Sequence, residues 1–218
     1  MFVQNTTTLN KIDISSWKRR AHFEFFSQFE EPYFGITWQV DMTLAKQRAK
    51  EQGVSLFIYY LHKSLEAAMA IENFKYRITP DNDVVLLDTI SASATLMRDN
   101  ETFGFSYIPY DADITVFTKS VQSEVERIKN SDDLFPPINT DDVMHCSAIP
   151  WMDFSSITHS RLFKAKDSVP KISYGQITEK SSGTFTMPVA LYVHHGLIDG
   201  LHVSRYKDMF QQLLDGKE

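Results

Sequence analysis

Strands and helices do not follow one another in regular alternation along this chain of 218 residues. Alternating patterns and β-rich composition predict strands at 35–42, 84–97, 143–149 and 184–194. Between them lie segments whose apolar residues recur every three or four positions, as one buried helix face requires. Because predicted strands outnumber strand-helix-strand units, we expect an α+β fold, a two-layer sandwich in which helices pack on a mixed sheet.

Helices are predicted at five places. Ser15 or Ser16 is expected to cap the first, a short helix that includes Phe25, since a serine oxygen accepts N–H groups left free at a helix start. Gly53 is expected to end the second helix, 43–52, in the left-handed conformation. The other three are marked by apolar residues at helical spacing, namely Phe57, Leu61, Leu65 and Ala68; Val116, Val121, Val125 and Ile128; and Val203, Tyr206, Phe210 and Leu213.

The composition is that of a folded protein. Apolar residues make up 43% and charged residues 23%, and no linker divides the chain, so we expect a single domain at 1–218. The net charge of -6 gives no positive long-range field, so neither nucleic acid nor membrane is expected as a partner. No stretch approaches the roughly 18 uncharged apolar residues of a membrane span.

The cellular compartment is predicted from two features. Cys146 is the only cysteine, so no intramolecular disulfide forms, which fits a reducing environment. Residues 1–14 are polar and lack the apolar run of a signal peptide. Both features favour a cytoplasmic location.

The most informative motif is His194-His195-Gly196-Leu197-Ile198-Asp199-Gly200, which follows an apolar strand and precedes a helix. Strand ends that turn into helices often present side chains to a cleft. An imidazole titrates near neutrality and can take a proton from an alcohol at working pH. The spacing of Asp199 does not itself place the carboxylate on the imidazole; Asp199 instead holding the shape of the loop stays open.

This segment resembles the His-His-x-x-x-Asp-Gly signature of chloramphenicol acetyltransferases, and its second half is shared with the acyltransferase cores of 2-oxoacid dehydrogenase complexes. The resemblance extends over nearly the whole chain, in the order and spacing of the family. Its further landmarks are Ile12-Asp13-Ile14-Ser15-Ser16-Trp17, Arg19-Arg20-Ala21-His22-Phe23-Glu24-Phe25-Phe26, Glu101-Thr102-Phe103, Leu134-Phe135-Pro136 and Ser147-Ala148-Ile149-Pro150-Trp151.

The resemblance implies a set of catalytic roles and acetyl-CoA as co-substrate, with no metal. His195 is implied as the general base that takes the proton of the acceptor hydroxyl, whose oxygen then attacks the thioester directly. Ser147 is implied as the hydrogen-bond donor to the oxyanion, and Asp199 as the partner of Arg19 in shaping the loop. Ser173 stands where the family usually has a threonine that orders a water.

The resemblance also implies binding residues. Trp151 and Pro150 are implied to line the path of the pantetheine and adenine groups of CoA. The implied acceptor pocket is largely apolar and aromatic, and its residues here are Phe26, Phe34, Phe103, Phe135, Ile157 and His159.

Several positions depart from the family pattern. His159, Arg161 and Lys171 stand at apolar places, which predicts a more polar and cationic pocket wall, unless these charges point outward. Gln176 and Ile177 replace a Lys-Tyr pair that touches CoA.

Three functions remain open. The first is acetylation of chloramphenicol, which confers antibiotic resistance. The second is the same chemistry on another hydroxyl- or amine-bearing small molecule, motivated by the polar residues above. The third is a trimeric binding protein without turnover. The resemblance implies a homotrimer with sites between subunits, and we expect His195 to reach toward Phe26, Phe34 and Phe103 of a neighbouring subunit.

Overall fold

The computed structural model describes residues 9–138, 140–160, 167–181 and 183–217. Within these ranges the strands are β1 (Leu9–Lys11), β2 (Tyr33–Asp41), β3 (Tyr76–Ile78), β4 (Val84–Leu87), β5 (Ser91–Met97), β6 (Phe103–Phe105), β7 (Val143–Ala148), β8 (Lys171–Tyr174), β9 (Thr178–Glu179) and β10 (Phe185–His194). The helices are α1 (Arg20–Phe26), α2 (Thr43–Glu51), α3 (Leu56–Met69), α4 (Ile114–Lys129) and α5 (Gly200–Leu214), with a 3₁₀ turn at Glu72–Lys75.

The larger sheet has the strand order β2–β10–β8–β7–β5–β6, and β9 pairs with β10. Strands β5, β7 and β8 run parallel to one another, whereas β8, β10 and β2 pair antiparallel. A smaller antiparallel sheet has the order β1–β4–β3. The predicted α+β fold with helices on a mixed sheet is therefore confirmed.

The core is closed by α3 and α5, which pack against each other. Leu65, Tyr206 and Phe210 from these helices are fully buried, and burial of each such side chain contributes roughly 1.5–3 kcal/mol. The hydroxyl of Tyr206 lies 2.6 Å from Ser64 Oγ, which also accepts a hydrogen bond from the Tyr174 hydroxyl at 2.5 Å. These bonds satisfy polar groups that would otherwise be costly to bury.

Most sequence predictions of helices are confirmed. The helix predicted at 43–52 is α2, and Gly53 follows it with a φ of +68°, the left-handed conformation that a glycine adopts without steric cost. The three segments with helical spacing are α3, α4 and α5. None of the helices in the described ranges has the length and apolar composition needed to cross a bilayer.

The predicted serine cap of the first helix is wrong. Helix α1 begins at Arg20, and Arg19 occupies its cap position without a side-chain cap. The hydroxyls of Ser15 and Ser16 donate to the Asp13 carboxylate at 2.7 and 2.9 Å. Because Asp13 organises its own turn with both serines, neither is available to the helix.

The long strand predicted at 84–97 is also wrong. It consists of β4 and β5, which belong to different sheets. The exposed Asp88 and Thr89 lie between the two strands, where the chain leaves one sheet for the other. Two polar residues therefore interrupt a segment whose composition is otherwise β-rich.

Candidate active site

The loop after β10 is fixed by the start of α5. Asp199 is the N-cap of α5 and accepts a hydrogen bond from the Leu201 N–H at 3.0 Å. His202 completes a capping box, because its Nδ1 accepts from the Asp199 N–H at 3.1 Å. Burial lowers the pKa of His202, which favours the neutral imidazole that this acceptor role requires. The cap holds the C-terminal end of the loop that carries His195.

Arg19 ties the same loop to the start of α1. Its Nη1 lies 2.8 Å from Asp199 Oδ2, with side-chain exposures of 7% for Arg19 and 32% for Asp199. Its Nε and Nη2 donate to the carbonyls of Gly196 and His195, each at 3.3 Å. Burial raises the pKa of Asp199, whereas the hydrogen bond and charge of Arg19 and the hydrogen bond from the Leu201 N–H lower it, and the net pKa lies below its ordinary value. The ion pair expected between Arg19 and Asp199 is present.

The ring of His195 is packed between aromatic side chains. It stacks on Phe26 with ring centroids 4.0 Å apart and planes 8° apart, and it lies 4.4 Å from the Phe34 ring. Its backbone N–H donates to the Pro32 carbonyl at 2.8 Å. Its Nδ1 is enclosed without a hydrogen-bond partner in the described ranges, which leaves Nε2 as the ring nitrogen that can face a substrate.

Ser147 lies in a separate cleft of about 530 Å³ beside β5, β7 and β8. Its Oγ is 3.3 Å from the hydroxyl of Thr95 on β5. Ser173, its register partner on β8, is fully buried, and its Oγ lies 3.4 Å from His159 Nε2. Thr95, Ser147 and His159 all line the cleft.

The expected cationic character of this wall is wrong for Lys171. The side chain of Lys171 is only 9% exposed, and its Nζ lies 2.5 Å from Asp167 Oδ2 and 3.3 Å from the Val169 carbonyl. The Tyr33 hydroxyl donates to Asp167 Oδ1 at 3.0 Å. A carboxylate that the sequence pattern did not reveal therefore neutralises this lysine. Arg161, the other predicted cation, lies outside the described residues.

Two histidines give the cleft neutral hydrogen-bonding groups. Burial, with a further contribution from Lys171, lowers the pKa of His145 to about 4. The same two causes lower the pKa of His159. Both imidazoles are thus favoured in the neutral form at pH 7, and a neutral imidazole offers one donor and one acceptor.

Of the remaining predicted acceptor residues, Phe103 and Phe135 line two neighbouring cavities and Ile157 lines neither. Phe103 is 42% exposed and lines the cleft. Phe135 is 57% exposed, stacks on Phe105 with centroids 5.5 Å apart, and lines a small adjoining cavity. Ile157 is half-buried in the segment after β7 and does not line the cleft.

The residues predicted to contact CoA follow β7. Pro150 and Trp151 come shortly after Ser147, and the Trp151 side chain is 66% exposed. Gln176 is exposed and donates its backbone N–H to the Met152 carbonyl at 2.8 Å. Trp151 therefore presents an exposed ring shortly after the end of β7 but does not line the cleft, and Ile177 packs against the core.

His195 and Ser147 are far apart within one chain. Ser147 pairs with Ser173, and Ser173 pairs with Ala190 on β10, two strands away from β7. His195 stands five positions beyond Ala190, which corresponds to about 17 Å along the strand, and two strand spacings add about 10 Å sideways. The two groups cannot act on one substrate molecule from the same chain.

The expected partners of His195 across an interface need correction. Phe26 and Phe34 contact His195 of their own chain, whereas Phe103 lies with Ser147 in the cleft. The reason is the register of the β2–β10 pair, which places Phe34 opposite Val193, two residues before His195. Of the three phenylalanines, only Phe103 belongs to the half of the site that lacks His195.

Comparison with protein families gives one match over nearly the full length. The model of the chloramphenicol acetyltransferase family matches residues 7–211. The chain belongs to this family. It is therefore an acyltransferase, as the motif predicted.

Similar proteins agree with the family assignment. Chloramphenicol acetyltransferase 3 of Escherichia coli is 26% identical over 209 residues, covering 95% of this chain and 97% of that protein. Chloramphenicol acetyltransferase of Clostridioides difficile is 27% identical over 207 residues, covering 94% and 95%. A solved chloramphenicol acetyltransferase superposes with a TM-score of 0.86 and 32% identity, covering 95% of this chain and 100% of that one.

A more distant structure shares the fold alone. A probable dihydrolipoamide acetyltransferase from Listeria monocytogenes has a TM-score of 0.65 and 12% identity, covering 91% of this chain and 90% of that one.

Sequence reasoning missed several site residues of this chloramphenicol acetyltransferase family member. His145 and Thr95 line the cleft, and Asp167 neutralises Lys171. His145 could have been found, because it precedes Ser147 by two positions on a strand and so shares its face. Asp167 could not, since it lies outside any regular element and only the fold places it on Lys171.

Proposed function

We propose that this protein is an acetyl-CoA-dependent O-acetyltransferase whose acceptor is chloramphenicol and whose general base is His195. The names of the similar proteins support the reaction and the acceptor. The observation that carries the mechanism is the packing of the His195 ring against aromatic side chains, in a loop that Arg19 and Asp199 brace. A base fixed in this way needs little reorganisation when substrate binds.

His195 Nε2 takes the proton of the acceptor hydroxyl as the acceptor oxygen attacks the thioester carbonyl. A C–O bond forms, and the carbonyl electron pair moves to oxygen to give a tetrahedral oxyanion. The Ser147 hydroxyl donates a hydrogen bond to this oxyanion, a contribution of roughly 2.7–4 kcal/mol where such a donor is preorganised. When the oxyanion collapses, the C–S bond breaks, and the protonated His195 returns its proton to the departing thiolate. Acetate ester and free CoA are the products.

Ser147 is suited to this role by its surroundings. It lies at the C-terminal end of β7 on the cleft wall, and Thr95 holds its hydroxyl at 3.3 Å. Pro150 and Trp151 follow it, so a thioester seated beside Ser147 has the exposed ring of Trp151 along its path. Aromatic ring faces suit the mixed apolar and polar surface of such a cofactor arm.

The active unit in this proposal is a homotrimer with its sites between subunits. The separation of His195 from Ser147 within one chain supports it, since a complete site needs the two halves from different copies. Exposed aromatic side chains near both halves support it too, because interfaces are enriched in aromatic residues. They include Phe25, Phe29, Phe103 and Phe135.

The direct test measures CoA thiol release from acetyl-CoA with and without chloramphenicol, and identifies the product by mass spectrometry. The proposal predicts thiol release that depends on chloramphenicol and yields its O-acetyl ester. CoA binding without thiol release across a broad panel of alcohols and amines would instead favour a binding protein without turnover.

A second acceptor class is favoured by one observation. The cleft wall beside Ser147 carries His145, His159 and the Lys171–Asp167 pair, whereas a nitrophenyl ring prefers apolar surroundings. Thiol release that requires another hydroxyl-bearing molecule, and not chloramphenicol, would select this function.

A further inference from the structure

The first residues of β2 hold His195 from two sides. The Pro32 carbonyl accepts the backbone N–H of His195 at 2.8 Å, and the centroid of the Phe34 ring lies 4.4 Å from that of the imidazole. Tyr33 stands between these two residues, and successive side chains on a strand point to opposite faces. The Tyr33 side chain therefore lies on the other face of β2 from Phe34, and whatever fixes it also fixes the carbonyl and the ring that hold His195.

The Tyr33 side chain is anchored through its hydroxyl. Tyr33 is only 6% exposed, and its hydroxyl oxygen lies 3.0 Å from both Asp167 Oδ1 and the Val169 carbonyl oxygen. Burial and the Asp167 carboxylate raise the pKa of Tyr33 well above its ordinary value, so the phenol keeps its proton. That single hydrogen is donated to one of two acceptors placed side by side, which fixes the direction of the phenol.

The carboxylate that accepts from Tyr33 is itself fixed. Asp167 Oδ1 accepts the Val169 N–H at 3.0 Å, and Asp167 Oδ2 lies 2.5 Å from Lys171 Nζ. The Lys171 ammonium group also lies 5.0 Å from the centroid of the Tyr33 ring, within the range of a cation–π contact. Since Lys171 is on β8 and Tyr33 is on β2, these contacts tie the start of β2 to the strand on the other side of β10.

The Tyr33 ring reaches the loop of His195 by a second route. It meets the His194 ring edge to face, with centroids 5.8 Å apart, because the two residues are register partners on β2 and β10. His194 Nδ1 accepts the backbone N–H of Gly196 at 3.1 Å. Tyr33 thus supports both chain neighbours of His195, through contacts that are separate from those of Arg19, which donates to carbonyls of this loop.

We infer that Tyr33 is a positioning residue, whose buried hydroxyl sets the place of the His195 imidazole. Its effect passes through the backbone of Pro32 and through the rings of Phe34 and His194. This inference rests on the proposed function, in which His195 is the general base. Tyr33 touches neither the acceptor nor the thioester, so it acts on kcat and not on substrate binding. A base that is moved out of line loses rate even though it is chemically intact.

The test removes single hydroxyl groups. Tyr33→Phe removes the anchor and leaves the Asp167–Lys171 pair in place. Tyr59→Phe is the matched control, because Tyr59 is also buried and its hydroxyl lies 3.3 and 3.4 Å from two backbone carbonyls at the end of α5. Tyr33→Phe is expected to lower kcat for thiol release about tenfold, with KM for acetyl-CoA and for chloramphenicol within about twofold of wild type. Tyr59→Phe is expected to lose a similar amount of stability in urea but to keep the wild-type kcat.

NMR spectroscopy gives a readout that does not depend on turnover. The stacked ring of Phe26 and the tilted ring of Phe34 shift the resonance of His195 Hε1 by their ring currents. This resonance, assigned by its absence in His195→Ala, is expected to move in Tyr33→Phe and to keep its wild-type position in Tyr59→Phe. Replacing Tyr33 with para-aminophenylalanine, which keeps a donor at the place of the hydroxyl, is expected to restore both the resonance and kcat.

A folded Tyr33→Phe protein with the kcat of wild type would overturn the inference, as would a lower kcat with an unmoved His195 resonance or an equal loss of kcat in Tyr59→Phe. Circular dichroism checks the fold. Where Tyr33→Phe does not fold, a lower kcat or a moved resonance in a folded para-aminophenylalanine protein would overturn the inference. Absence of thiol release by the wild type would refute the proposed function, while the resonance of His195 would still decide whether Tyr33 places its ring.

Discussion

At the scale of single residues, the question is what would suit one histidine among seven to the proposed role of general base. Pro32 and Arg19 hydrogen-bond the backbone N–H and carbonyl of His195, and the rings of Phe26 and Phe34 pack against its imidazole. Such fixation removes the rotamer freedom that would otherwise be lost on binding. The enclosed Nδ1 leaves one nitrogen for proton transfer.

His195→Ala is expected to reduce kcat at least about 10²–10⁴-fold, the range of general base catalysis. His22→Ala serves as the matched control, because His22 is an exposed histidine of α1. Thiol release measures the rate, and circular dichroism confirms that both variants are folded. Near wild-type turnover by a folded His195→Ala protein would refute the mechanism.

Asp199→Asn isolates the ion pair with Arg19, since asparagine also caps helices well and so preserves the start of α5. Removing the charge leaves Arg19, which is buried, without its carboxylate, and we expect a loss of about 1–3 kcal/mol, reduced from the fully buried case because Asp199 is partly exposed. We also expect a kcat at least about tenfold lower, because the His195 loop loses its brace. Urea unfolding and thiol release measure the two effects.

The pH dependence provides a check on this pair. The pKa of Asp199 in the folded protein is below its ordinary value, so its contribution to stability is present above the unfolded carboxyl pKa of about 3.9 and is lost as pH falls through the folded pKa. The stability difference between wild type and Asp199→Asn should therefore vanish at low pH. A difference that persists unchanged there would show that the ion pair is not its cause.

The sequence predicted some of the candidate site residues and not others. The motif identified His195 and Asp199, and the family resemblance supplied Arg19, which no spacing rule connects with a residue 180 positions later. Lys171 departs from the family pattern, and the sequence predicted a cationic wall there, unless the charge points outward, without revealing a counter-ion. Its neutralisation by Asp167 depends on how the segment before β8 folds back, and sequence periodicity carries no information on that.

At the scale of secondary-structure elements, the parallel strands β5, β7 and β8 combine a core face with a polar cleft face. Alternation of apolar and polar residues along the sequence reveals such strands, because one face is apolar and the other polar. The strand at 143–149 was predicted correctly for this reason. The same rule failed at 84–97, where two strands of different sheets share one β-rich segment. Only the strands' long-range partners, β1 for β4 and β7 for β5, separate them.

The cleft face predicts a pH effect on stability. Burial lowers the pKa of His145 to about 4, whereas an unfolded histidine has a pKa near 6.5. As pH falls from about 6.5 to about 4, the unfolded chain takes up this proton first, so the folded state loses stability in that window, on the order of 3 kcal/mol for a shift of this size. Urea unfolding across this pH range should show the loss in wild type.

Other histidines with lowered pKa values, His62, His159 and His202, contribute in the same direction, so the difference between wild type and His145→Gln isolates the His145 part. His22→Gln is the matched control at an exposed histidine. Parallel stability profiles for wild type and His145→Gln between pH 6.5 and 4 would contradict the buried, neutral state of His145.

At the scale of the whole molecule, the strand order separates the two groups of the proposed site within one chain. His195 follows the end of β10, near its pairing with β2, whereas Ser147 lies on β7 among the parallel strands. Because β10 runs antiparallel to β8 and β8 runs parallel to β7, the C-terminal ends of β10 and β7 point in opposite directions along the strands. The fold therefore sets the two groups apart, and assembly is the step that can join them.

This separation leads to a complementation experiment. His195→Ala and Ser147→Ala each abolish one half of a site. In the proposed homotrimer, random mixing of equal amounts of the two proteins gives about a quarter of the interfaces an intact His195 together with an intact Ser147. Mixing two nearly inactive proteins under conditions that exchange subunits should therefore restore thiol release to about a quarter of the wild-type rate per site. The matched control mixes His195→Ala with Asp199→Ala. Both substitutions lie in the His195 half, so no subunit of this mixture has an undamaged His195 loop, and mixing should restore much less thiol release. Phe26→Ala or Phe34→Ala cannot replace Ser147→Ala, since both phenylalanines contact His195 of their own chain.

Sedimentation during the assay reports the assembly state. A monomer with full activity, or a mixture no more active than its components after demonstrated subunit exchange, would refute a site shared between subunits.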